Sequence, residues 1–150
     1  MFYGEYHHIL DSKGRFILPS KFREEINNLG VNKLFLTRGL DRCLFLFTEK
    51  EWRLQEERFK SLPLTSSEAR RFNRLYFSGA VDIELNPRGR ILIPQYLKEY
   101  ASIGKGIVAV GVSSRIEIWA EKMWRDFYSS SVKDFEKIAE GLLNNNMGNG

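Results

Sequence analysis

The sequence predicts an α+β protein made of two tandem β-β-α-β-β units with accompanying helices, and three observations carry that prediction. The first is an internal repeat: residues 4–24, GEYHHILDSKGRFILPSKFRE, return at 79–99 as GAVDIELNPRGRILIPQYLKE, an offset of 75. That offset lays Gly4 on Gly79, Leu10 on Leu85, Gly14 on Gly89, Arg15 on Arg90, Pro19 on Pro94 and Glu24 on Glu99. The second is that the far ends of the copies also match, Leu44–Trp52 (LFLFTEKEW) against Ile116–Trp124 (IEIWAEKMW), at an offset of 72. The third is composition: 43% hydrophobic and 13% aromatic residues in 150 suffice for one sizeable core, or two half-cores sharing an interface.

Within each copy the periodicity changes in the same order. Tyr6–Leu10 places apolar groups at alternate positions, Asp11-Ser-Lys-Gly14 supplies turn chemistry, and Phe16-Ile17-Leu18 begins a second strand, so a β-hairpin is expected. Gly14 suits the positive φ such a turn requires, and Asp11 is placed to cap its backbone. Pro19 ends the strand and suits the first turn of a short helix over Ser20–Ile26, with Phe22 and Ile26 on one face. Leu34–Thr37 and Cys43–Phe47 read as two further strands joined through Arg38–Asp41.

Helices follow each unit. Thr48-Glu-Lys-Glu51 and Thr65-Ser-Ser-Glu68 both fit capping boxes, Trp52 and Phe59, then Ala69, Phe72 and Tyr76, sit at helical spacing, and Pro63 separates the two helices. In the second copy Trp124 and Phe127 share a helix, and Val132, Phe135, Ile138 and Leu142 mark an amphipathic last one. The tail Asn144–Gly150 has no apolar pattern and is expected to fray. The resulting division is 1–53 for the first unit, 54–77 for connecting helices, 78–125 for the second unit, and 126–150 for the last helix and tail.

Charge and cysteine content narrow the function classes. The net charge of +4 lies wholly in residues 1–75, with 14 Lys and Arg against 10 Asp and Glu, while residues 76–150 balance at nine each. A polyanion would meet the first half first. A single cysteine, Cys43, permits no intrachain disulfide and no cysteine-rich zinc site, as in a reducing cytoplasm, and its apolar run makes it a buried, inert thiol. The N-terminus lacks the basic and apolar regions of a signal peptide, and no apolar run approaches the ~18 residues of a membrane span. His7 and His8 are adjacent on a strand and point to opposite faces, so they do not chelate one metal, and Asp82 with Glu84 are too few ligands for a cation. No phosphate-binding loop, nucleophile elbow, zincin motif or dinucleotide fingerprint is present, so no enzyme activity, cofactor or small-molecule substrate is expected.

The paired turns Asp11-Ser-Lys-Gly-Arg15 and Asn86-Pro-Arg-Gly-Arg90, each followed by an apolar strand and proline, resemble the two D-x-x-x-R motifs of the MraZ family. The resemblance covers about residues 1–143, and its most specific pieces are DSKGRFILP, the central SSEARRFNRLYFSGA, and EIW followed by Trp124. It implies tandem SpoVT/AbrB-like swapped-hairpin domains packed as an internal pseudo-dimeric barrel, and a ring-shaped homo-oligomer. It further implies a cytoplasmic, nucleoid-associated regulator, acting mainly as a repressor. Its target would be short direct repeats in the promoter ahead of its own gene, within the division and cell wall gene cluster.

The candidate DNA-binding residues are Asp11, Lys13, Arg15, Asn86, Arg88 and Arg90. A two-stranded ribbon is among the elements a major groove admits, an arginine can pair bidentately with guanine, and any of these cations neutralises phosphate. Asn86 departs from the motif. It can still accept hydrogen bonds and hold the turn, but it lacks the charge that would orient Arg90. The bland alternative, in which Arg15 and Arg90 form salt bridges, Arg15 with Asp11 for instance, on decorative turns, is outweighed by the duplication together with the family resemblance, more so for Arg15 than for Arg90. The basic run Arg70-Arg71-Phe72-Asn73-Arg74 reads differently, as a solvated or subunit-contacting helix face with Phe72 packed inward. Two other classes remain open: a protein-binding module of antitoxin type, which a short polar tail disfavours, and a structural ring without DNA.

Overall fold

A computed structural model of the protein describes residues 1–31 and 33–148. The elements run β1 (Glu5–Ile9), β2 (Arg15–Ile17), α1 (Ser20–Asn28), β3 (Lys33–Arg38), β4 (Leu44–Thr48), α2 (Glu49–Lys60) and α3 (Ser67–Ser78). The second copy repeats the order with β5 (Val81–Glu84), β6 (Arg90–Leu92), α4 (Gln95–Tyr100), β7 (Gly106–Val112), β8 (Arg115–Ala120) and α5 (Glu121–Ser131). A 3₁₀ turn at Val132–Asp134 leads into α6 (Phe135–Gly148).

The strands pair across the repeats. One antiparallel sheet has the order β1-β7-β8-β4-β3-β5, and β2 pairs with β6 in a separate two-stranded ribbon. The expected hairpin between the first two strands is therefore corrected: the Asp11 N–H still donates to the Arg15 carbonyl at 2.8 Å, but β1 lies on β7 and β2 on β6. The exchange is reciprocal, since β5 lies on β3 just as β1 lies on β7. It covers the outer edges of β3 and β7, which would otherwise present unpaired backbone groups. Among the described residues the ladders form a six-stranded sheet and a two-stranded ribbon.

A pseudo-two-fold axis relates the copies. Phe16 pairs with its own equivalent Ile91, and Phe45 with its equivalent Glu117, so the axis passes through the middle of both ladders. Side chains alternate across the large sheet. Leu34, Leu36, Leu44, Leu46, Ile107, Ile116 and Ile118 join Phe16, Leu18, Ile91 and Ile93 of the ribbon region, with Phe22, Ile26 and Leu97 of α1 and α4, in one core. On the opposite face Cys43, Phe45, Phe47, Val108, Val110 and Trp119 meet Trp52 and Tyr76 of α2 and α3. Residues of β4 are buried on both faces, which is why that strand reads as an unbroken apolar run instead of alternating.

The helix caps follow local chemistry. Thr48 caps α2 as expected, its hydroxyl accepting from the Glu51 N–H at 3.4 Å. The second capping residue is Ser66, not Thr65: its hydroxyl accepts from the Ala69 N–H at 3.2 Å, one residue later than the spacing of the capping box suggested. Pro19 and Pro94 sit just outside α1 and α4 rather than within their first turns, their carbonyls accepting the first helical N–H groups. Phe72 packs inward against Phe59 and Tyr76, with ring centroids 4.7 and 5.1 Å away. Helix α6 continues through Asn144 and Asn145, which corrects the expectation of a frayed tail over its first residues; residues 149–150 lie outside the described region. A helix end in water requires no apolar pattern, so the absence of one past Leu143 did not mark a boundary.

Candidate nucleic-acid interface

The two motif turns are built alike. Asp11 accepts, through Oδ1, the backbone N–H groups of Lys13 and Arg15, both at 2.9 Å. Asn86 accepts, through its Oδ1, those of Arg88 and Arg90 at 3.0 and 2.9 Å. Gly14 and Gly89 close the turns with φ of 79° and 74°, a conformation that disfavours any residue with a Cβ. Asn86 thus preserves the fold role of the aspartate, because the turn needs an acceptor oxygen and not a charge.

The arginines differ. Asp11 Oδ2 also accepts from Arg15 Nε at 3.1 Å, an ion pair that clamps the guanidinium by one edge and leaves its two terminal nitrogens free of that bond. Asn86 makes no such bond to Arg90 among the described residues. The Arg15 backbone N–H, then that of Lys13 and the Arg15 guanidinium, holds the Asp11 carboxyl below the usual aspartate range, so it stays charged near neutral pH.

The β2–β6 ladder brings the two motifs into one surface. Phe16 and Ile91 point into the core, so the alternation of strand side chains turns Arg15, Ile17, Arg90 and Leu92 to the other face of the ribbon. Because the strands are antiparallel, the turns lie at opposite ends of the ribbon, while Arg15 and Arg90 are separated by only two residues of register, about 7 Å along the strands. Lys13 and Arg88 are exposed within the turns themselves.

Two further cations, which the linear sequence did not mark, accompany the turns. Arg23 of α1 packs on the second turn: a Cβ at Gly89 would run into its Cδ, and its Nε donates to the Leu18 carbonyl at 2.9 Å. Lys98 of α4 lies on the first turn, its Nζ 3.5 Å from where a Gly14 Cβ would stand. They are equivalent positions, at the same offset of 75 as the two glycines. Each turn therefore has the two cations of its own motif and a third from the short helix of the other repeat. The one signal that pointed to them was their match in the repeat alignment, where a basic residue stands in both copies.

The other sequence candidates fall elsewhere. His7 is exposed and hydrogen-bonded to Glu5 at 2.8 Å, while His8 turns towards Phe16; burial, then His7, lowers the His8 pKa. Asp82 is 3.6 Å from Lys33. Among the described residues no group of three or more His, Cys, Asp or Glu side chains gathers to hold a metal. Cys43 is fully buried, and burial, then the nearby carboxylates of Glu117 and Asp41, pushes its thiol well above the usual range. No helix among the described residues is long and apolar enough to cross a membrane.

A family model described as "MraZ protein, putative antitoxin-like" matches the chain twice, over residues 1–75 and 76–146. The two matches divide the chain where the internal repeat divides it, and together they take in both arginine turns. The chain belongs to the MraZ family, whose role is regulator-like, as two tandem units of that family's domain.

Proposed function

We propose that the protein is a sequence-specific DNA-binding transcription regulator, a repressor of its own promoter and of the division and cell wall gene cluster, that reads DNA with the β2–β6 ribbon. The observation that carries this reading is the pairing of two duplicated arginine turns on one outward ribbon face. Arg15 and Arg90 supply base-edge donors, and Lys13, Arg88, Arg23 and Lys98 supply phosphate contacts. Such a division of labour separates sequence preference from salt-dependent affinity.

Fluorescence anisotropy of the protein on the DNA upstream of its gene, against scrambled DNA across a salt series, tests it. The expected result is tighter binding to the upstream DNA and a log–log salt slope of about −0.9 for each phosphate neutralised. Equal binding to both fragments would remove the regulator reading.

Self-association belongs to the same proposal, because a ring of subunits sets many ribbons on successive DNA repeats and converts weak single contacts into avidity. The C-terminal helices support it: Phe135, Ile138 and Leu142 of α6 are exposed, Phe135 by 72%, and continue the exposed Phe127 and Tyr128 of α5. Charging this stripe with Phe135→Asp and Ile138→Asp is expected to lower the mass seen by sedimentation. A wild-type chain that sediments as a monomer would instead leave the stripe as the surface of a protein-binding module, the reading that the antitoxin-like description of the family favours.

A further inference from the structure

The ribbon face between the two arginines is not polar. Ile17 and Leu92 stand there with 47% and 51% of their surface exposed. They are equivalent positions of the two repeats, so an exposed aliphatic side chain occupies the same place twice. The register sets each directly beside the arginine of the other repeat: Arg15 faces Leu92, and Ile17 faces Arg90. Directly opposed side chains on one face of a ladder are neighbours, their Cβ atoms roughly 5 Å apart. The face is therefore a two-by-two checkerboard of guanidinium and aliphatic groups, symmetric about the axis through Phe16 and Ile91.

A face built only to bind phosphate gains nothing from aliphatic groups at its centre. Hydroxyl or basic side chains would serve it better and would avoid exposing apolar surface beside two charges. The floor of the major groove, in contrast, presents one apolar feature, the 5-methyl group of thymine, on the same edge that displays the guanine acceptors arginine pairs with. An aliphatic group within one side chain's width of a guanidinium matches that pattern.

We propose that Ile17 and Leu92 are specificity-determining residues that contact thymine 5-methyl groups in the major groove while Arg15 and Arg90 pair with neighbouring bases. The proposal rests on the DNA-binding reading above. It assigns the ribbon's preference to an apolar contact as well as to hydrogen bonds. It also predicts that the preference for thymine-containing positions falls when the methyl group is removed, although uracil pairs with adenine just as thymine does.

The test uses the full-length protein and the upstream DNA prepared twice, once with thymidine and once with deoxyuridine throughout. Wild type is expected to bind the deoxyuridine fragment more weakly, by roughly 3- to 15-fold for one to two lost methyl contacts. The double variant Ile17→Ser, Leu92→Ser is expected to bind the two fragments alike, with the wild-type salt slope, because its phosphate contacts are untouched. Both positions are exposed, and a melting curve confirms that the variant is folded. Wild type that prefers upstream over scrambled DNA yet does not distinguish thymidine from deoxyuridine would overturn the proposal and leave the regulator reading standing. A variant that keeps the wild-type discrimination would overturn it too, by assigning the methyl contact to other residues. Wild type without any preference for upstream DNA would remove both together.

Discussion

Arg15→Ala is expected to weaken binding to the upstream DNA by about 1–3 kcal/mol, roughly 5- to 150-fold, and to narrow the preference over scrambled DNA to what Arg90, Ile17 and Leu92 still supply. Arg90→Ala is expected to cost less. The reason lies in the partner of each guanidinium. Asp11 clamps Arg15 through Nε, so its terminal nitrogens are oriented before DNA arrives, whereas Asn86 spends its acceptor on two backbone N–H groups and leaves Arg90 to be ordered on binding. Asn86→Asp should therefore move Arg90 towards the behaviour of Arg15. Equal losses from the two alanine variants, measured by anisotropy at one salt concentration, would show that the clamp does not set arginine geometry.

Trp52→Ala is expected to lower the stability of the protein by about 3–5 kcal/mol, which for a chain of this size corresponds to a melting temperature lower by roughly 6–20 °C. Trp52 is 3% exposed and stacks on Phe35 of β3 at 5.3 Å and on Tyr76 of α3 at 5.7 Å, with Phe47 and Phe77 against its other edges. It thus joins α2, α3 and the sheet, and its loss leaves a cavity that neighbouring rings cannot fill without moving. Trp124, its equivalent in the repeat, is only half-buried against Trp119 and Phe127. The two tryptophans therefore part ways, although the repeat aligns them as equivalents. Trp124→Ala should cost less than half as much, and a melting curve that moves equally for both variants would contradict this placement.

The difference between the tryptophans shows where sequence reasoning stops. Trp52 is covered because α3 folds back onto the sheet, held there by the Thr37 hydroxyl donating to the Tyr76 carbonyl and by Arg38 donating to the Leu75 carbonyl. In α6, the helix after the second unit, Phe135, Ile138 and Leu142 stay exposed, and Trp124 keeps a face towards solvent. Nothing in the periodicity of either helix distinguishes these outcomes. An amphipathic pattern says that a face can be buried, not what buries it.

The sequence by itself determined the duplication, the order of elements in each unit, the two turns and the role of Asp11 and Asn86 within them. These are local matters: a turn needs an acceptor side chain and a glycine at fixed spacing, and strands and helices announce themselves by their periods. Only the tertiary structure decided that β1 pairs with β7 and β2 with β6, that Arg23 and Lys98 reach the turns, and that Ile17 and Leu92 stand beside the arginines. A period of two assigns each residue to a face of its strand but carries no information on which strand lies alongside. That choice depends on which edges elsewhere in the chain remain unpaired and on the core that forms when they meet, and both are properties of the folded whole.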